Sequence, residues 1–98
     1  MYNLSIEFEW DDNKDQINRQ KHGVSFEVAK QIFDDPRAIP FEDVEHSQKE
    51  VRYKMIGLSR MGLLLVSFTY RKQRVQIISD RRANTHLQRM YEDDDYDY

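Results

Sequence analysis

The chain has 98 residues, 39% of them hydrophobic and 34% charged, with a formal net charge of -3; that is one domain with a thin core and an ionic surface. The absence of cysteine excludes a disulfide framework and thiolate metal sites, and it fits a reducing compartment, so a cytoplasmic protein is expected. The longest apolar run, residues 63–66, is far too short to cross a bilayer, and the N-terminus has no basic region followed by an apolar one; neither membrane insertion nor export is expected.

Ile6, Phe8 and Trp10 alternate with Glu7 and Glu9, the period of a strand with one wet face. Asp11 can cap a helix over residues 12–21, Asp12 suits the positive end of its dipole, and Gly23 can take the left-handed terminating conformation. Ile17 is the only aliphatic residue of this helix, so most of its circumference must be exposed. Lys14, Asn18, Lys21 and His22 fall along one stripe, which is either a ligand-facing row or an ordinary solvated face.

Ser25 can cap a second helix over residues 26–34, whose Phe26, Val28, Ala29, Ile32 and Phe33 mark it as a core helix, and Asp35-Pro36 ends it. A short extended piece at residues 38–41 and a polar loop follow. Residues 51–58, 63–70 and 74–79 then read as a three-stranded antiparallel meander with two short connections. Its middle strand is apolar on both faces at Leu64, Val66 and Phe68 and at Leu63 and Leu65, so it should be covered on both sides. A last helix over residues 83–91 would turn Leu87, Met90 and Tyr91 inward. The expected architecture is α+β, a small antiparallel sheet packed with two N-terminal helices and one C-terminal helix, over residues 1–91. Residues 92–98 are dense in like charge without a period, the pattern of a disordered acidic tail.

The net charge conceals an uneven distribution. Residues 1–50 balance at -6 and residues 91–98 at -5, whereas residues 51–90 hold nine Lys or Arg against one Asp, a balance of +8. Such a field attracts polyanions, so a polyanionic substrate or an acidic partner is expected; the alternative is a sheet face neutralised by the chain's own acidic half. Gly-rich phosphate loops, HExxH and nucleophile elbows are missing, so no nucleotide cofactor is expected. His22, His46 and His86 are too scattered to suggest a metal pair, and no metal is expected.

What remains is the arginine cluster at the end of the last strand. Arg81 and Arg82 should project to opposite faces. If Ser79 and Arg81 lie opposite the packed helices, Arg52 or Lys54 becomes their neighbour across the sheet and the face forms a cationic floor. Guanidinium groups match phosphate oxygens in bidentate fashion and can hold the charge that grows as a phosphodiester is attacked. Arginine is a poor proton carrier, so a cleaving enzyme needs a second group; His22 is the first candidate and Tyr91 the second. Either can also be structural, His22 at a helix end and Tyr91 as packing.

These residues carry a family resemblance. The stretch FEWDDNKDQINRQKHGVSFEVAKQIFDDP, residues 8–36, resembles the opening of the BrnT family of toxins through Trp10, Asp11, Lys14, Asn18, Lys21, His22, Gly23, Val24 and Phe26. The meander is similar to it as well, through Glu50, Arg52, Gly57, Ile77, Ile78, Ser79, Arg81, Arg82 and Ala83, followed by Arg89 and Tyr91. The resemblance implies a RelE-like fold and a ribonuclease toxin of a type II toxin-antitoxin system that inhibits translation. Its implied partners are RNA, a ribbon-helix-helix antitoxin, and operator DNA reached only through that antitoxin. On this reading Arg81, Arg52, His22, Lys14 and Tyr91 form the catalytic set, and Lys21, Lys54, Ser79, Arg82 and Arg89 bind RNA. The rival is a non-catalytic or degenerate basic module that only engages its antitoxin or nucleic acid, and Asp80, where the family commonly has Ala, would set an anion beside the phosphate site.

Overall fold

The computed structural model describes residues 5–93. Strand β1 (Phe8–Glu9) leads into helix α1 (Asp12–His22). Asp11 caps α1 by accepting from the N–H groups of Asn13 and Lys14 at 2.8 and 3.2 Å, and Gly23 closes it at φ 75°, where a side chain would be strained. Ser25 caps the single α-turn α2 (Phe26–Ala29), which tightens into a 3-10 turn over Lys30–Asp34. The expected second helix is therefore a composite of two geometries. Then come β2 (Ile39–Glu42), a 3-10 turn at Val44–His46, β3 (Arg52–Ser59), β4 (Gly62–Arg71), β5 (Arg74–Arg82) and α3 (Thr85–Asp93).

The five strands form one sheet in the order β1-β5-β4-β3-β2, with β1 parallel to β5 and the rest antiparallel. The architecture is α+β. The β4–β5 hairpin turns through Lys72 and Gln73, both at positive φ (51° and 66°), the twist-compatible form of a two-residue loop. On one side of the sheet α2 and its 3-10 extension place Phe26, Val28, Ala29 and Ile32 against Met55, Leu64, Val66, Phe68, Val75 and Ile77. On the other side α3 covers only part of the surface, packing Leu87 on Ile56, Leu65 and Ala83, with Phe41, Leu63 and Tyr91 around them. β4 is thus covered on both faces, on the helical side at Leu64, Val66 and Phe68 but not at Tyr70, and in part on the other.

One irregularity decides which residues face where. Ser67 pairs with Ser79 and Phe68 with Ile77, so Ile78 of β5 has no partner of its own in β4. This β-bulge inverts the side-chain alternation along β5. Val75 and Ile77 face the helical core; beyond the bulge Asp80 does so, and Ser79 and Arg81 turn to the side of α3.

α3 runs through Glu92 and Asp93, and the remainder of the expected acidic tail lies outside the described residues. Among the described residues no helix is long and apolar enough to cross a membrane.

Candidate functional site

The α3 side of the sheet divides into an apolar half under the helix and an open polar half. Lys54 pairs with Ser67 and Ser67 with Ser79, forming a row across three strands. Arg81 lies one row toward α3, and Arg52 one row away from it on β3, opposite Thr69. Cross-strand partners share a face, so Arg52, Lys54, Ser79 and Arg81 belong to one surface. At about 4.8 Å between strands and about 3.4 Å per residue, the Arg52 and Arg81 Cα atoms are roughly 16 Å apart, with Lys54 between their rows.

The electrostatics of this floor are uneven. Arg81 is half-buried, and among the described residues it has neither an ion-pair nor a hydrogen-bond partner. Lys54 and Arg52 have loose carboxylate neighbours, Asp43 at 3.8 Å and Glu50 at 3.8 Å. Glu50 makes its close contacts with Arg71, at 3.2 and 2.9 Å. The Arg71 guanidinium holds the Glu50 carboxyl below the usual range, and Glu50 in turn raises Arg71. A guanidinium matches the oxygens of a phosphate or carboxylate in bidentate fashion, so Arg81 is a candidate point of attachment for either.

A family model described as a ribonuclease toxin, BrnT, of type II toxin-antitoxin systems matches residues 10–86. The chain belongs to the BrnT toxin family. No curated protein matches it. Membership gives this BrnT chain the class of a ribonuclease toxin with an antitoxin partner. Arg89 and Tyr91 lie beyond the matched span.

Several residues singled out in the sequence lie elsewhere. α1 packs along β5 on the side toward which Asp80 points, with Lys14, Lys21 and His22 exposed on it; the structure does not gather them with Arg52 and Lys54 on the α3 side. Asn18, expected in the same stripe, is buried and anchors α1. Its side-chain N–H groups donate to the carbonyl of Val24 (3.1 Å), the carbonyl of Asp80 (2.9 Å) and Oδ1 of Asp80, and its oxygen accepts from the Asp80 N–H at 3.2 Å. Its amide thus pairs with the free edge of β5 as a neighbouring strand would.

Asp80 is a correction. It is 1% exposed in the core and does not share the face of Arg52, Lys54 and Arg81. Arg82 projects away from Arg81, as alternation requires, and donates to the carbonyl of Met61 at 3.0 Å. The Tyr91 hydroxyl donates to Asp35 at 2.7 Å, and Arg37 stacks over the ring at 5.7 Å. Burial alone would raise the Asp35 carboxyl, but the N–H groups of Arg37 and Leu58 and the Tyr91 hydroxyl outweigh it and hold it below the usual range. Arg89 is exposed on α3, and Met90, expected inside, is 38% exposed.

Sequence reasoning passed over His46 and Asp43. The His46 ring contacts Asp43 through Nδ1 at 2.8 Å, and the same carboxylate oxygen lies 3.8 Å from Lys54 Nζ. The one signal was the Asp-x-x-His spacing just before the basic strand. Asp43, Glu45 and His46 each offer an atom within 4.8 Å of the others and so could approach a metal ion together. Glu45 and His46 are exposed, however, and the Nδ1 atom of His46 is already engaged by Asp43.

Proposed function

We propose that this chain is a metal-independent endoribonuclease that inhibits translation by cutting RNA on the open half of its α3 face. The RNA 2′-hydroxyl attacks the adjacent phosphate, Arg52 stabilises the phosphorane, and Arg81, Lys54 and Ser79 hold the neighbouring backbone phosphates on which cleavage depends. The observation carrying this reading is Arg81, half-buried and without a counter-ion among the described residues, on one face with Lys54 and Arg52. A span of roughly 16 Å between the two arginine Cα atoms suits a stretch of backbone better than an isolated phosphate. Lys14, Lys21 and His22 fit contacts with flanking RNA around the edge of β5 better than proton transfer at the floor. The antitoxin is of the ribbon-helix-helix kind, the pair reaches operator DNA through it, and the toxin acts in the cytoplasm.

A second reading, a basic module that only receives an acidic antitoxin segment, is favoured by the carboxylates already near Arg52 and Lys54. One experiment separates the two. The chain is induced alone and with its neighbouring gene product, and growth and RNA integrity are scored. The purified protein is then given a short RNA in EDTA. Growth arrest with discrete fragments ending in 2′,3′-cyclic phosphate, abolished by Arg81→Ala, supports the enzyme. Intact RNA, or arrest unchanged in Arg81→Ala, refutes it.

A further inference from the structure

The floor residues Arg52, Lys54, Ser79 and Arg81 supply positive charge but include neither an imidazole nor a carboxylate. The loop between β2 and β3 supplies both. Asp43 is fixed opposite Arg52, its N–H donating to the Arg52 carbonyl at 2.8 Å. Ser47 locks the same loop, its hydroxyl donating to the Asp43 carbonyl at 2.6 Å and accepting from the Arg52 N–H at 2.8 Å. The 3-10 turn Val44–His46 then brings His46 back onto Asp43.

The two side chains differ in exposure in a way that suits a base and its holder. The Asp43 side chain is 11% exposed and that of His46 58%. A carboxylate only accepts, so Nδ1 carries the proton and Nε2 keeps its lone pair. Nε2 has no partner among the described residues. His46 also lines a cavity of about 520 Å³ together with Lys49, Glu50, Arg52 and Arg71. Lys54, which approaches the same Asp43 oxygen, stands in the cross-strand row of Ser67 and Ser79, next to the row of Arg81.

We infer that His46, oriented by Asp43, is the general base of the cleavage reaction, acting on RNA laid from this cavity across the floor. The inference rests on the ribonuclease reading above. Nε2 takes the proton of the 2′-hydroxyl as the 2′ oxygen bonds to phosphorus. The bond from phosphorus to the 5′ oxygen breaks, and the departing oxygen takes a proton from water. The products are a 2′,3′-cyclic phosphate and a 5′-hydroxyl, and the imidazolium returns its proton to solvent. Asp43 is a positioning residue that selects the tautomer and stabilises the imidazolium, while Arg52 lies where charge builds on the phosphoryl oxygens.

The test compares wild type, His46→Ala, Asp43→Asn and Arg81→Ala on a short RNA across pH. Binding of the co-expressed antitoxin serves as a check of folding. General-base loss typically costs about 10²–10⁴-fold, so His46→Ala should lower kcat in that range with KM unchanged. It should also abolish the acidic limb of the pH–rate profile and recover part of its rate in added imidazole. The charges around the ring are Asp43, Glu45 and Glu50 against Lys49, Arg52, Lys54 and Arg71, and Asp43→Asn should lower kcat with KM and antitoxin binding unchanged. If wild type leaves RNA intact, the ribonuclease reading fails and this inference with it. If wild type cleaves, Arg81→Ala does not, and His46→Ala keeps full kcat and its acidic limb, this inference alone is overturned. Cleavage lost in EDTA, with Glu45→Gln as damaging as His46→Ala, would assign the group to a metal and overturn the base.

Discussion

Asp80 makes the stability of this fold depend on pH in an unusual direction. Its carboxyl is 1% exposed, Oδ1 accepts from Asn18, and Oδ2 has no hydrogen-bond partner among the described residues. Burial pushes its pKa from 3.8 up to about 7; the hydrogen bond from Asn18 opposes that shift and the charge of Asp15 adds to it. Between those two values the native protein retains a proton that the unfolded chain has released, so stability falls as pH rises through the window. The full shift corresponds to a ceiling of about 4 kcal/mol, of which roughly 2.5 kcal/mol is lost between about pH 5 and pH 8. For a domain of this size that is a fall of about 10–20 °C in Tm. Asp35 and Glu50 have lowered pKa values; their contributions are lost only in more acidic solution and do not offset the trend. Urea and thermal unfolding of wild type and Asp80→Asn across this range provide the measurement. Wild type should weaken toward pH 8, whereas the Asn variant, unable to ionise, should be nearly flat. A wild type that is flat or gains stability from pH 5 to pH 8, or an Asn variant that keeps the slope, would refute the reasoning.

Gly57→Ala should cost about 1–3 kcal/mol in urea unfolding, because the added Cβ would stand 2.6 Å from Cβ of Ile32. Tyr91→Phe removes the hydroxyl donated to Asp35 at 2.7 Å and should cost about 1.5 kcal/mol near neutrality; the deficit should shrink once acid neutralises Asp35, whose stabilisation is lost as pH falls through its depressed pKa. In salt titrations of RNA binding, Arg81→Ala and Lys54→Ala should each flatten the slope of log K against log salt by about 0.7. Lys30→Ala, whose cation is paired to Glu27 on the helical side at 2.8 Å, should leave that slope unchanged.

Much of the frame could be read from local chemistry. The cap at Asp11, the stop at Gly23 and the break at Asp35-Pro36 depend on neighbouring atoms alone, and the meander on alternation. The two-residue β1 could not be read so well: Ile6, Phe8 and Trp10 suggest a longer strand, but pairing is confined to Phe8 with Val75 and Glu9 with Gln76, between the start of β5 at Arg74 and the turn of the chain into α1 at Asp12. Nor could the bulge at Ile78, because strict alternation from Val75 and Ile77 would send Ser79 and Arg81 into the core. The cationic floor was legible as a set of residue types, and Arg52, Lys54, Ser79 and Arg81 do share a face. The side on which α1 lies was not, since nothing local to residues 12–22 reports that Asn18 will meet Asp80 across 62 positions of chain. The Asp43–His46 pair was missed because it lies in a loop without periodicity and is organised by hydrogen bonds to Arg52.

The unmatched residue in β5 has an evolutionary consequence. Because a single extra position sets the phase of everything after it, the insertion is harmless only while it stays looped out: deletion of Ile78 would leave Ser79 opposite Ser67 and Asp80 facing inward on an unkinked ladder, whereas a slip that drew Ile78 into register would turn the Arg81 guanidinium toward the hydrophobic interior and Asp80 out to the side of α3. The strand therefore tolerates loss of this residue better than its absorption into the ladder.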